Sequence, residues 1–378
     1  MAHRAGAPAD QHRVRVPVRR RRALLPGAQP GQRGALPALP GPGRRDSRGP
    51  LRRPAGDLPL LQHGSGGRPG VDAVHADIAT SVRWGGRAAV KQIYVQIPAY
   101  RDTELGPTLL DLIARAEDPD ALRVGVLWQR ADGDQLPGAV RANPNIEIIE
   151  VPYQDSAGCN WARAQLQRRW QGEPYTLFLD SHHRFIPGWD RHVIAMYKGL
   201  RRRGVAKPLI TAYLPPYDPR NDPAGRSREP LQIRGRSRER GMLIYLEAHP
   251  IPVWRDVKQP IPAHFTSLHF VFADGAFNRE LILDEQVYFF GDEVVLALRA
   301  FTHGYDLFHP HYVLGWHLYE RTATRTTHWD DHADYDERNQ RSCDRLRDLF
   351  LGIDDAALGS RRTIDDYESM ICDKLIEL

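Results

Sequence analysis

Asp180 and His182 are the residues of this chain whose types and spacing point most directly to chemistry. They stand in the run YTLFLDSHHRFIPGWD, residues 175 to 190. Tyr175, Leu177, Phe178 and Leu179 read as a short buried strand that stops at Asp180, with Ser181 and His182 following. A carboxylate and an imidazole placed where a strand leaves its sheet can both reach one divalent ion beyond the sheet edge. Open α/β sheets take their ligands at the carboxyl ends of strands, so the pair is placed for a metal-bound nucleotide. A mixed oxygen and nitrogen ligand set suits manganese and related borderline ions better than calcium. A solvent loop in which His182 and His183 hydrogen-bond locally uses the same residues, and the D-x-H string alone leaves that reading open.

The elements needed to position this pair are written on both sides of it. QIYVQIPAY, 92 to 100, reads as a strand ending in a Pro-containing loop before Arg101 and Asp102. Leu105, Leu109, Leu112, Ile113 and Ala116 then follow at helical spacing. LRVGVLW (122 to 128) and NIEIIEVPY (145 to 153) are further strands, and Trp161 to Trp170 suits a helix closed near Gly172. After the Asp180 strand come a helix over about 189 to 200 and a strand in KPLITAYLP, 207 to 215. LIYLEA and HFTSLHFVFADGAF read as strands, GDEVVLALRAFTHGYD as a helix, and LFHPHYVLGWHLYER as extended chain. Strands alternating with helices predict an α/β fold on a mostly parallel sheet. Residues 215 to 241, rich in Pro and Arg, read as an exposed loop, or as a mobile acceptor-side flap.

Charge divides the chain. Residues 1 to 90 hold 16 Arg, no Lys, 5 Asp and no Glu, a balance of +11. The whole chain is +5, so residues 91 to 378 carry 5 − 11 = −6. The pI of 9.1 therefore describes the first segment, and a nucleic-acid partner would rest on that segment alone. Its Arg, Pro and Gly density without apolar periodicity predicts disorder over 1 to 90. Arg without Lys or Glu leaves two readings open, a start assigned too far upstream or a basic tail. Cys159, Cys343 and Cys372 are odd in number and far apart, with neither disulfide nor zinc-finger spacing. No run approaches 18 apolar residues and no secretory signal is recognisable, so no membrane partner and a cytoplasmic location are expected.

Four strings in order, VQIPAYRD, GCNWARAQL, LDSHHRFIPGWD and FADGAF with GDEVVLALRAFTHGYDLFHP and GWHLY, together carry a resemblance over about residues 92 to 320. The chain resembles GT-A glycosyltransferases. It is most similar to the cytoplasmic enzymes that add N-acetylglucosamine to hydroxyproline in a protein, and more distantly to mucin-type polypeptide N-acetylgalactosaminyltransferases. The resemblance implies a Rossmann-like nucleotide-diphospho-sugar transferase domain at 91–330. The tail, where charge alternates with Leu and Phe from about 334, reads as a peripheral helical extension at 331–378. The resemblance also implies a UDP-sugar donor, a protein or other hydroxyl acceptor, and Mn2+ or Mg2+ held by Asp180, His182 and His317, with His309 and His311 as competitors for the third place.

By the same resemblance Pro98, Ala99, Tyr100 and Arg101 lie against the uridine, Arg163 faces the nucleotide, and Ser181 lies beside the metal pair. Asp274 and Gly275 bind the transferred sugar, and Glu293 is an acidic group near sugar and acceptor. Trp189 reads as packing. The resemblance is to retaining families, in which Glu293 and Asp274 position groups and are not essential bases. The second strand ends in Trp128-Gln129 where the mucin-type relatives have an acidic pair, which leaves the uridine contact there open. A metal-dependent hydrolase, and a nucleic-acid-binding protein acting through its basic arm, are the rival readings.

Overall fold

The computed structural model describes residues 91–320, 326–354 and 356–377; the segment 1 to 90, for which disorder is expected, lies outside them. The apolar runs become one half of a sheet. β1 (Ile93–Tyr100), β2 (Leu122–Arg130), β3 (Ile146–Pro152) and β4 (Tyr175–Leu179) lie in the order β3-β2-β1-β4, all parallel. Helices α1 (Leu105–Arg115), α2 (Gly138–Arg141) and α3 (Cys159–Gln167) lie in the connections between them. Because helices cover both faces of such a sheet, its strands are apolar almost throughout. Ile93, Val95, Ile97 and Ala99 are all buried, each larger side chain contributing roughly 2 kcal/mol on burial.

Beyond β4 come β5 (His183–Phe185), α4 (Trp189–Arg202), β6 (Pro208–Thr211), the hairpin of β7 (Leu231–Glu239) and β8 (Met242–Pro250), and β9 (Ile261–Pro262). Next are β10 (Phe270–Asp274), α5 (Phe277–Glu280), α6 (Asp292–Thr302), β11 (Asp306–His309) and β12 (Gly315–His317). Helices α7 (His328–Asp331), α8 (Tyr335–Phe350) and α9 (Ile364–Ile371) follow. The full sheet runs β3-β2-β1-β4-β10-β6-β11-β9. Trp189 is packing, as expected: it is buried and its Nε1–H donates to the Leu112 carbonyl at 3.0 Å.

Two features differ from the sequence reading. Residues 231–239 are a strand where an exposed loop was expected, because the alternating arginines of β7 hide a period-two pattern whose inward residue is Ile233. The second is direction: β10 runs antiparallel to β4, with Phe270 opposite Leu179 and Asp274 opposite Tyr175.

A short ladder stands outside the main sheet. β12 pairs with β5 antiparallel, setting His317 opposite His183 and Gly315 opposite Phe185. A Cβ on Gly315 would stand 2.5 Å from the Arg184 carbonyl oxygen, so glycine is what lets the two strands approach. Among the described residues no helix is long and apolar enough to cross a membrane.

Candidate active site

The carboxyl ends of β1, β2 and β4 meet at one end of the sheet, and a cleft of about 450 Å³ opens there. Asp180 and His182 line it, with Tyr100 and Asp102 from the end of β1 and Gln129 from the end of β2. His317 enters from β12. One ligand atom from each of Asp180, His182 and His317 lies within 4.8 Å of the others. Asp180 Oδ2 is 3.7 Å from His182 Nε2 and 3.4 Å from His317 Nε2. Ligands bonded to one ion at about 2.0–2.2 Å stand roughly 3–4.4 Å apart, so the set fits a single divalent cation.

Each member is held from behind. Arg163, on α3 and 4% exposed, donates from Nη2 to Asp180 Oδ1 at 2.6 Å and to the Leu268 carbonyl at 3.2 Å, while Nη1 meets Cys159 Sγ at 2.7 Å. This leaves Asp180 Oδ2 to the imidazoles. Burial opposes the charge of Asp180, yet the His317 contact, then the Arg163 guanidinium and His182, hold its carboxyl well below the usual carboxylate range. His182 Nδ1 lies 2.6 Å from Asp102 Oδ2, and Ser181 Oγ donates to the same oxygen at 2.6 Å. Burial again opposes ionisation, but His182, then Ser181 and the Glu104 N–H, keep Asp102 below its ordinary value. An ionised Asp102 can only accept, so Nδ1 carries the proton and Nε2 presents its lone pair to the cleft. Burial, with His269 adding to it, pushes His317 well below 6.5, so it is a neutral imidazole. The His269 ring stacks on it at 4.1 Å.

The opposite wall carries a second pair of acids, at the start of α6. Glu293 Oε1 accepts the Leu268 N–H at 2.9 Å and Oε2 accepts the Tyr213 hydroxyl. Burial raises both carboxyls, and with Glu293 beside it Asp292 is pushed up to about 8. Asn160 Nδ2 donates to Asp292 at 3.4 Å.

Of the expected uridine loop, Pro98 and Tyr100 line the cleft, whereas Ala99 is buried in the core. Arg101 turns away to pair with Asp331 of α7 at 2.8 Å, and the Tyr100 hydroxyl donates to the same carboxylate at 2.8 Å. His309 is a satisfied core residue: Nδ1 donates to Thr211 O at 2.9 Å and Nε2 accepts Ile233 N–H at 3.1 Å. His311 lies beside Tyr312 and away from Asp180. Asp274 and Gly275 are not brought to the site. The antiparallel register puts Asp274 opposite Tyr175, five residues and roughly 16 Å from Asp180, and Leu268 and His269 occupy the cleft end instead. Gly275 is required there for packing, since a Cβ would meet the Glu173 carbonyl oxygen at 1.9 Å.

Sequence reasoning gave Asp292 to the helix N-terminus and overlooked Asp102, Tyr213 and His269. Asp102 had a usable signal, an acid just past the end of the strand expected beside the Asp180 strand. The others have none, because only the fold brings them near.

A family model described as Glycosyltransferase (GlcNAc) matches residues 92–142 and 135–371. No curated protein matches the chain. Among solved structures, GalNAc-T7 with UDP, GalNAc and Mn2+ is similar at 13% identity and TM-score 0.49, over 75% of this chain and 55% of that one. S. aureus TarS 1–349 in complex with UDP-GlcNAc is similar at 12% identity and TM-score 0.46, over 74% of this chain and 70% of that one. The chain thus spans about half the length of the GalNAc-T7 chain. Since the family model extends from the first strand of the sheet to the last helix and takes in the whole cleft, the chain belongs to the Glycosyltransferase (GlcNAc) family.

Proposed function

We propose that the chain moves N-acetylglucosamine, or a related hexosamine, from a UDP-sugar to a hydroxyl on a protein, with retention at the anomeric carbon, residues 91–330 forming the catalytic unit. The observation that carries this reading is the Asp180, His182 and His317 set at the strand ends, where an open α/β sheet takes a nucleotide. The family description supports the sugar. Manganese or magnesium bound there would supply Lewis-acid stabilisation of the charge on a departing diphosphate.

The chain's own residues supply position. Asp102 fixes the His182 tautomer and Arg163 fixes the Asp180 carboxylate. Pro98, Tyr100 and Gln129 face the nucleoside. Glu293 has both oxygens engaged by Leu268 and Tyr213; a carboxylate so held orients its neighbours, which supports retention over an inverting route with Glu293 as the base. Cysteines that are odd in number and far apart in the sequence support a cytoplasmic location.

The test is UDP release from UDP-N-acetylglucosamine, with and without chelator. Chelator and Asp180→Ala should each lower turnover by at least about a hundredfold, with the variant's melting temperature within a few degrees of the parent. Turnover indifferent to chelator would remove the metal from the reading. An α-linked product, seen in the anomeric proton signal, is the outcome expected for retention; a β-linked one rejects it.

A further inference from the structure

The β7–β8 hairpin beside the cleft carries charge that the transfer site does not use. From Arg226 to Arg240 the chain has six arginines and two glutamates, a balance of +4, whereas residues 91 to 378 sum to −6. Arg226 is taken by Asp222 and Arg238 by Asp373, and Arg240 donates to Gln340. Arg228, Arg234 and Arg236 are exposed, and their side chains hold no ion pair or hydrogen bond among the described residues. The hairpin register sets Arg234 and Arg236 on the strand next to one that lines the cleft. Arg234 lies opposite Glu247, which faces His249 at 2.7 Å, and Gly235 lies opposite Leu246. Leu246 lines the cleft with Ile244 and Tyr245. Neighbouring strands are about 4.8 Å apart, a gap that an arginine side chain spans. Among the described strands β7 pairs with β8 alone, and on its outer side His309 takes the Ile233 N–H.

We propose that this edge recognises the acceptor, as a polypeptide segment with acidic side chains flanking the hydroxyl to be modified. The inference rests on the reading of the chain as a sugar transferase acting on protein. Guanidinium forks pair carboxylates bidentately. Exposed charges of this kind act over about 8 Å at physiological salt, which governs encounter and choice of partner more than affinity. Elsewhere the body is net negative and turns such a segment away; at this edge it is drawn in, next to the cleft. Charge on an edge strand also prevents strand-to-strand pairing, and that role alone predicts no preference among acceptors.

Two labelled peptides of equal length, each offering serine, threonine and hydroxyproline, one flanked by glutamates and one by lysines, provide the test. Binding is read by fluorescence anisotropy and transfer from UDP-N-acetylglucosamine by mass spectrometry. The proteins are the full chain and two triple variants, Arg228→Gln/Arg234→Gln/Arg236→Gln and the corresponding change of all three to Glu. Residues 1 to 90, at +11, contribute equally to all three proteins, so the differences report the hairpin. The parent should bind and modify the glutamate-flanked peptide about tenfold better, the Gln variant should lose that preference, and the Glu variant should reverse it. UDP release to water should be the same in all three. Equal treatment of both peptides by the parent overturns the surface, as does a preference that survives charge reversal. Tighter capture of an oligonucleotide of equal charge, lost in the variants and without any peptide preference, also overturns it. Anisotropy needs no donor, so failure to release UDP from any UDP-sugar counts against the transferase reading alone.

Discussion

Asp102 decides which nitrogen of His182 faces the cleft. With the carboxylate 2.6 Å from Nδ1, the proton stays on the protein side and the lone pair of Nε2 points outward. Partners of this kind typically alter metal affinity 10–100-fold when removed. Asp102→Asn should therefore weaken Mn2+ binding by about that factor, measured as free Mn2+ by electron paramagnetic resonance, with Asp180→Ala as the reference. Equal affinity in Asp102→Asn and parent would leave Asp102 a folding role only. Glu293 offers the complementary case. Both of its oxygens accept hydrogen bonds, and the amide of Glu293→Gln keeps an oxygen for one donor. Measurable α-transfer should persist in this variant; complete loss with donor binding intact would make Glu293 the base.

At the scale of elements, strand direction sorted the candidates. The D-x-H string was legible because an apolar strand ending in an acid looks the same whatever lies beside it. Asp274 and Gly275 were misplaced because FVFADG reads identically in either direction, and only pairing with β4 shows that its polar end points away from the cleft. Asp274→Asn should thus leave kcat/KM for the donor within about twofold, whereas Gly275→Ala should lower the melting temperature without altering donor KM. A raised donor KM in Asp274→Asn would return it to the sugar site. β7 was illegible for another reason: exposed arginines at alternate positions look like a polar loop until a partner strand is known. His309 joins β6 to β7 through Thr211 and Ile233, and burial lowers it to about 4. Above pH 6.5 folded and unfolded chains are both neutral at this residue and its contribution is complete. As pH falls from 6.5 toward 4 only the unfolded chain takes up the proton, so stability is lost across that window, by up to roughly 1.4 kcal/mol per pH unit. His309→Gln can keep both hydrogen bonds without titrating. Its unfolding free energy should fall less steeply than the parent's between pH 7 and 5; parallel curves would exclude His309 as a source of the slope.

Over the whole molecule, the last helices belong to the same core as the cleft. Leu346, Leu349 and Phe350 of α8 are buried with Val294, Val295 and Leu298 of α6, the helix whose first turn supplies Asp292 and Glu293. The sequence showed a peripheral helix there, since charge alternating with Leu and Phe does not reveal how deep the apolar side sits. Contact is closest at Gly291, where φ is +82° and a Cβ would fall 2.0 Å from Leu346 Cδ2. Gly291→Ala should destabilise the chain by about 2 kcal/mol or more, from backbone strain and overpacking together. Adding Leu346→Ala should return part of that loss, a coupling that a double-mutant cycle of unfolding free energies would read directly. Strict additivity of the two changes would mean that the helices part without cost. If the coupling holds, these positions form a covarying pair: across descendants of this chain a bulkier residue at 291 should travel with a smaller one at 346. A chimera that splices α8 from one lineage onto α6 from another would then misplace the two acids without altering a residue in the cleft.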